Sequence, residues 1–385
     1  MSAPPAGLDA ARVSRNLELH AAAAAGDAAQ AKALLDAGAD VWWEDEATLG
    51  WDALHYAAER GDAKLCRLLL RRGAIWNAVD VNGYTAAEVA WSLNDGATYQ
   101  TILDEAVRQT VIRNLLAQKA EQQRLEGGGE EAEAEAEAST SGSAQIAADG
   151  SLVLRVDSGD EVGADPKAFL ASKLRFETGA DGKERCVDRD GGVVMAAWET
   201  DIMERTAALL CEGQRDGFSA LNIGFGLGII DGFLQRYKPG RHVIVEPHPD
   251  VLAHLRAKGW DKLPGVEIWE RRWQDCLAEL GDFDVIYTDT YSEDYAALRA
   301  FFEELPNLVS GPDARFSFFH GLAGTNRFLY DVYTRVAELD LRGIGLGTEW
   351  EEMRPQLTEE TWQGTLRSYW TLDSFRIPLC RMNVF

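Results

Sequence analysis

Residues 20–95 repeat themselves, and a period of this size restricts what the first third of the chain can become. His20-Ala21 returns as His55-Tyr56, Gly26-Asp27 as Gly61-Asp62, and Gly38-Ala39 as Gly73-Ala74, each offset by 35 residues. A third copy follows at an offset of 33: residues 50–54 align with residues 83–87, and Gly61-Asp62 with Asn94-Asp95. Each unit predicts a short helix such as residues 53–60, a Gly-Asp turn, a second helix such as residues 63–71, and a Gly-Ala turn where glycine takes a positive φ. Small alanines on the first helix let neighbouring helices approach closely, and Leu34, Leu35, Leu68 and Leu69 are expected to supply the apolar stripe of the second. About two full units and a partial third are expected, near the minimum for a stable stack.

These spacings resemble ankyrin repeats. The resemblance implies a surface that binds a protein partner through its concave face and turns, including Trp42-Trp43-Glu44-Asp45-Glu46. The alternative is a stack that only caps the next domain. An amphipathic helix over residues 103–124 precedes Gly127-Gly128-Gly129, a Glu-Ala alternation over 130–138 and Ser139 to Ser143. A segment of this composition buries too little apolar surface to offset its ordering entropy, so a tether is expected. The expected domains are a repeat module over 1–118, an acidic low-complexity linker over 119–150, and a second domain over 151–385.

Charge narrows the partners. The chain carries 38 Lys+Arg against 63 Asp+Glu, a formal net charge of -25. Such a chain repels phosphate backbones, so no direct nucleic-acid partner is expected, and a basic protein fits better. Acidity serving solubility alone is the other reading. The sequence contains no run of ~18–20 apolar residues and no charged-then-apolar start, so no membrane span and a non-secreted protein are expected. Five scattered cysteines, none in a CxxC pair, predict reduced thiols, a cytoplasmic or nuclear location and no zinc site.

From about residue 151 short β-branched and apolar runs begin, at 152–156, 173–177, 193–196, 220–224, 242–246, 266–270, 285–289 and 315–319. Helix-length segments separate most of the later ones. Alternation of this kind predicts an α/β fold, a Rossmann-like doubly wound parallel sheet with ligands at the carboxyl ends of its strands. Residues 369–372 and 377–385 read as an antiparallel pair closing the sheet.

Within this domain an apolar strand runs into Gly224-Phe225-Gly226-Leu227-Gly228-Ile229 and then a helix. Glycines let a backbone approach a ligand that the helix N-terminus faces. The next strand ends in Glu246, a carboxylate able to accept hydrogen bonds from both hydroxyls of a ribose. The pair fits a dinucleotide or S-adenosylmethionine (SAM). Gly228 follows Gly226 by two residues where the dinucleotide fingerprint wants three, which favours SAM. A further strand ends in Asp289, at the substrate-facing position of such a fold, and Glu199 precedes an amphipathic helix.

Trp198-Glu199-Thr200 with Met203, Gly224-Phe225-Gly226, Glu246, Trp273 and Tyr287-Thr288-Asp289-Thr290-Tyr291 together resemble guanidinoacetate methyltransferase. The whole arrangement is more similar to the fungal type IV protein arginine N-methyltransferases, which join ankyrin repeats to that catalytic domain and methylate the internal (δ) guanidino nitrogen of arginine. The resemblance implies a class I SAM-dependent methyltransferase, with SAM contacts at Met203, Gly224, Phe225, Gly226, Leu227, Gly228, Ile229, Glu246, Pro247, His248, Trp273, Gln274 and Asp289, and with Phe176 as an aromatic lid. It also implies a basic, arginine-containing protein substrate, a ribosomal protein among the candidates. Two departures stand out: Asn222, where many SAM enzymes carry an acid, and Asp201-Ile202, which replace a Pro-Tyr of the small-substrate family and suit a peptide.

The chemistry is coherent without the resemblance. A guanidinium is a planar cation that two carboxylates can grip, fixing which nitrogen meets the methyl. That nitrogen must also give up a proton as the new bond forms. Glu199 and Asp289 are the candidates for clamp and proton acceptor, with the assignment between them open. Tyr287, Tyr291 and Trp273 are candidates to face a sulfonium or stack on adenine. His248, His254 and His320 lack metal-ligand spacing, so no metal is expected, and His320 is a candidate for the substrate mouth. A monomer is expected. Two rival readings are a small-molecule guanidino methyltransferase and a non-catalytic SAM-binding scaffold.

Overall fold

The computed structural model describes residues 10–45, 47–126, 144–146, 152–154 and 165–383. Most of the Gly- and Glu-Ala-rich tether lies outside them.

The repeat region forms three helical pairs: α1 (Ala10–Ala25) with α2 (Ala28–Asp36), α3 (Ala53–Glu59) with α4 (Ala63–Arg71), and α5 (Ala86–Ser92) with α6 (Gly96–Glu126). Asp27, Asp52, Asp62 and Thr85 cap helix N-termini, each accepting the orphan N–H three residues on. Gly26 and Gly61 take φ of 73° and 74°, and Asn94, their counterpart in the third copy, takes 58°. The third copy is therefore complete, not partial; its second helix runs for 31 residues and absorbs the helix expected at 103–124. The alanines pack as expected, with Ala22, Ala23, Ala57, Ala58, Ala87 and Ala90 buried. The stripe of α4 is instead Leu65, Cys66, Leu69 and Leu70, while Leu34, Leu35 and Leu68 stay half-buried. The helical phase set by the Asp62 cap turns that face inward.

The chain divides into two compact units, one made of the helical pairs with Arg327–Val336, the other carrying the larger sheets. Its elements are α7 (Pro166–Ala171), β3 (Arg175–Thr178), β4 (Glu184–Val187), β5 (Val193–Ala196), α8 (Thr200–Cys211), β6 (Ser219–Ile223), α9 (Ile229–Arg236), β7 (Arg241–Val245), α10 (Pro249–Ala257), β8 (Val266–Trp269), α11 (Leu277–Leu280), β9 (Val285–Thr288), α12 (Tyr295–Leu308) and β10 (Arg315–Phe318). Then come α13 (Arg327–Gly343), of which residues 337–343 belong to this unit, β11 (Leu346–Met353) and β12 (Phe375–Met382); the short β1 (Ala144–Ile146) and β2 (Leu152–Leu154) pair separately.

Seven strands order as β11-β12-β10-β9-β6-β7-β8. Strands β10, β9, β6, β7 and β8 run parallel, and β12 joins β10 antiparallel. The winding reverses between β6 and β9, so their carboxyl ends part to leave a crevice. Three expectations change. Strands β3 and β5 do not enter this sheet: with β4 they make a separate antiparallel sheet, because links this short cannot cross over to a parallel neighbour. Among the described residues, 152–154 pair with β1 rather than with the large sheet. The closing antiparallel pair is β11 with β12, and residues 369–372 are not a strand. Among the described residues no helix is long and apolar enough to cross a membrane.

Candidate active site

The crevice holds a cavity of about 390 Å³, within the ~300–1,000 Å³ usual for small-molecule sites. Its floor is the turn after β6. Gly224 has φ of 91°, and a Cβ there would sit 2.0 Å from the carbonyl oxygen of Asp289, so only glycine lets β6 and β9 close together. A Cβ on Gly226 would meet the Met195 sulfur at 2.3 Å. The Gly228 position is taken by the Phe225 ring, so this third glycine serves packing at the start of α9. Asn222 has a structural account: its amide donates to the Gly224 carbonyl at 2.8 Å and to the buried Asp231 carboxylate at 2.9 Å. Asp231 also meets His242 Nε2 at 3.0 Å. The acid that braces the turn thus comes from α9 rather than from the strand.

Glu246, at the end of β7, is buried and accepts the Phe225 N–H at 2.9 Å and the His248 N–H at 2.7 Å. Burial pushes its carboxyl up to about 7 despite those bonds. It is a costly group to keep there unless hydroxyl donors arrive to share it.

Two more acids line the same cavity, and the charge of one acts on the other. Glu199, in the short 3₁₀ turn before α8, is 3% exposed. Burial and the charge of Asp289 push its carboxyl well above the usual range, and only the Tyr369 hydroxyl, which donates to Oε1, pulls it back. Asp289, half-buried beyond β9, is pushed up to about 7 by burial alone. Carboxylates from Glu199, Glu246, Asp289, Glu293 and Asp294 line the cavity against the guanidinium groups of Arg272 and Arg367. The excess negative charge suits cationic occupants.

Of the residues singled out from sequence, Glu199, Gly224, Phe225, Gly226, Glu246, Pro247, Trp273, Gln274 and Asp289 come together in the lining of this cavity. Met203, Leu227, Gly228, Ile229, His248 and Phe176 are not in it. Met203 is fully buried, its sulfur accepting the Tyr287 hydroxyl at 3.3 Å, which also places Tyr287 in the core. Leu227 gives its N–H to the Met195 sulfur at 3.1 Å, and Ile229 packs on the core as α9 begins. His248 caps α10 and reaches the Phe169 carbonyl at 3.1 Å. Phe176 stacks on His254 at 3.8 Å and 2°. Tyr291 lines the cavity against Phe169, whereas His320 is buried beside Trp350.

Tyr369, Glu293, Met195 and Arg367 were not legible from sequence. Glu293 organises one rim by accepting from Trp273 Nε1 at 3.0 Å, Gln274 Nε2 at 2.9 Å and the Thr290 hydroxyl at 2.7 Å. The one local signal for Tyr369 is the aromatic density of Trp362, Tyr369 and Trp370, which a strand explains equally well. Among the described residues no cluster of His, Cys, Asp and Glu is disposed to hold a metal.

Comparison with known proteins matches residues 19–122 to ankyrin repeats, in three copies, and residues 175–302 to guanidinoacetate N-methyltransferase. The chain is 35% identical over 378 residues to a protein of Cryptococcus neoformans named protein arginine N-methyltransferase 2, with 91% of each chain covered. Relatives of the same name in Aspergillus fumigatus and Candida glabrata are 38% and 35% identical, covering 83% and 81% of this chain and 77% and 76% of theirs.

Proposed function

The chain belongs to the protein arginine N-methyltransferase 2 family, and on that premise we propose that it methylates the internal δ nitrogen of an arginine in a basic protein, using SAM. The observation that carries this reading is the pair Glu199 and Asp289, two acids lining one cavity whose carboxyls burial pushes up and whose charges act on each other. A guanidinium placed between them supplies the missing charge and presents planar donors to both.

The cavity residues fit SAM. The glycine turn, Glu246, Pro247, Trp273 and Gln274 are assigned to hold it, with Glu246 offering its remaining lone pairs to the ribose hydroxyls. When bound, SAM supplies a methyl group whose bond to sulfur breaks with the electron pair left on sulfur. The guanidinium nitrogen gains that carbon and loses its N–H proton, so two cations become one methylated guanidinium and one released proton. Glu199 and Asp289 share the tasks of fixing the guanidinium plane and receiving that proton. Holding the reacting atoms in line supplies several kcal/mol of the rate enhancement. An inert SAM-binding scaffold has no use for such an unfavourable pair of acids.

The substrate class rests on the acidity of the cavity and of the chain, and a large-subunit ribosomal protein is the specific candidate. The ankyrin stack is assigned to recruiting that substrate. A monomer in the cytoplasm and nucleus completes the proposal, supported by five cysteines that are all unpaired. The test is transfer of labelled methyl from SAM to a basic protein, with fragmentation mass spectrometry to locate the methylated nitrogen and guanidinoacetate as competitor. Methyl on a terminal nitrogen overturns the δ assignment, and preference for guanidinoacetate overturns the protein substrate.

A further inference from the structure

The segment between β11 and β12 has no regular strand, yet it is pinned at three places. Arg185 donates to the Gln363 carbonyl at 3.0 Å, the Leu366 N–H reaches the Gly191 carbonyl at 2.8 Å, and the Thr371 N–H reaches the Gly324 carbonyl at 2.9 Å. Between these pins the Tyr369 ring packs against Trp362 at 4.8 Å and Trp198 at 5.7 Å. Its hydroxyl accepts the Trp198 indole N–H at 2.7 Å and donates to Glu199 Oε1.

The direction of these bonds follows from the donors available. An indole nitrogen can only donate, so the Tyr369 oxygen must accept from it. The single phenolic proton is left for Glu199. Burial and the charge of Glu199 push the Tyr369 phenol well above its usual range, so it keeps that proton. Glu199 Oε1 is therefore held as an acceptor with one lone pair engaged, and Oε2 is the freer oxygen to carry a proton or meet a substrate.

We propose that Tyr369, oriented by Trp198, is a positioning residue that holds the Glu199 carboxylate in one rotamer through Oε1, so that a carboxylate plane of fixed direction, with Oε2 its freer oxygen, is presented to the guanidinium. This rests on the methyltransferase reading above. Without the hydroxyl, Glu199 can rotate and take its proton on either oxygen, and the plane of the guanidinium is no longer set. The charge that reaches Glu199 is that of Asp289, Tyr369 reaches it by a hydrogen bond, Tyr287 is a buried titratable neighbour that feels its charge, and the remaining charged side chains of the cavity are Glu246, Glu293, Asp294, Arg272 and Arg367.

The test compares wild type with Tyr369→Phe, which keeps the ring and removes the hydroxyl. The pH profile of kcat/KM for an arginine peptide is measured at saturating SAM. A charge-assisted hydrogen bond to the anion predicts an inflection moved about 1–2 pH units to the alkaline side, with kcat down about 10- to 100-fold and SAM affinity unchanged. An inflection that stays in place overturns the proposal, whatever happens to the rate, because a purely structural tyrosine changes activity without changing proton affinity. Trp198→Phe, which removes the orienting donor, should move the inflection the same way by less. It carries the test if Tyr369→Phe does not fold, and an unmoved inflection there overturns the proposal equally. Wild type that methylates no arginine at any pH refutes the methyltransferase reading instead, so the two failures are distinct.

Discussion

Replacing Asp289 with asparagine should stabilise the ligand-free protein while abolishing turnover. Burial alone raises this carboxyl from its ordinary 3.8 to about 7. A raised acid in the folded state means that ionisation opposes folding: the cost is fully present above about pH 7 and fades as pH falls toward 3.8. At 1.36 kcal/mol per pH unit the gap amounts to about 4 kcal/mol at pH 8. At pH 5 the folded protein already holds the proton, and linkage leaves under about 2 kcal/mol. Asparagine keeps the size and removes the charge, so Asp289→Asn should gain up to about 4 kcal/mol at pH 8 and less than half of that at pH 5. Urea unfolding of both proteins at the two pH values, without SAM, reads the difference through the midpoint, provided the slopes agree. The reasoning fails if the variant is less stable at pH 8, or if its gain is the same at both values. Either result would mean that the folded protein already compensates the charge and has no need of a cationic ligand.

Two further outcomes follow from the same geometry. Gly224→Ala should cost about 2–5 kcal/mol, combining left-handed strain with overpacking against the Asp289 backbone, and should lower SAM affinity; thermal unfolding and SAM titration check it, and a neutral effect on both contradicts the close approach of β6 and β9. Arginine-peptide binding between pH 6 and 7 should release protons, because a guanidinium favours the ionised forms of carboxyls that burial holds up; calorimetry in buffers of different ionisation enthalpy measures the number, and an enthalpy independent of buffer counts against the clamp.

Features that local sequence can encode were readable in advance. The repeat period and its Gly-Asp and Gly-Ala turns each depend on a few neighbouring residues. So do β6, β7 and β9, whose apolar runs end in the glycine turn, Glu246 and Asp289. Errors appeared where the partner of a segment decides its state. Residues 173–177 and 193–196 have strand character, but the turns around β4 fold them into a sheet of their own. Residues 369–372 have the aromatic content of a strand, yet pairing with β12 went to β11.

The sequence by itself determined the repeat stack, the doubly wound sheet and the residue types at the carboxyl ends of its strands, because periodicity, capping and strand-ending carboxylates are properties of contiguous residues. Tertiary structure alone decided that Glu199 and Asp289 line one cavity, that the three glycines are demanded by Asp289, Met195 and Phe225, and that a tyrosine 170 positions away donates to Glu199. Such contacts depend on closing long loops and on which buried donor finds which acceptor, and no local pattern of residues records that outcome.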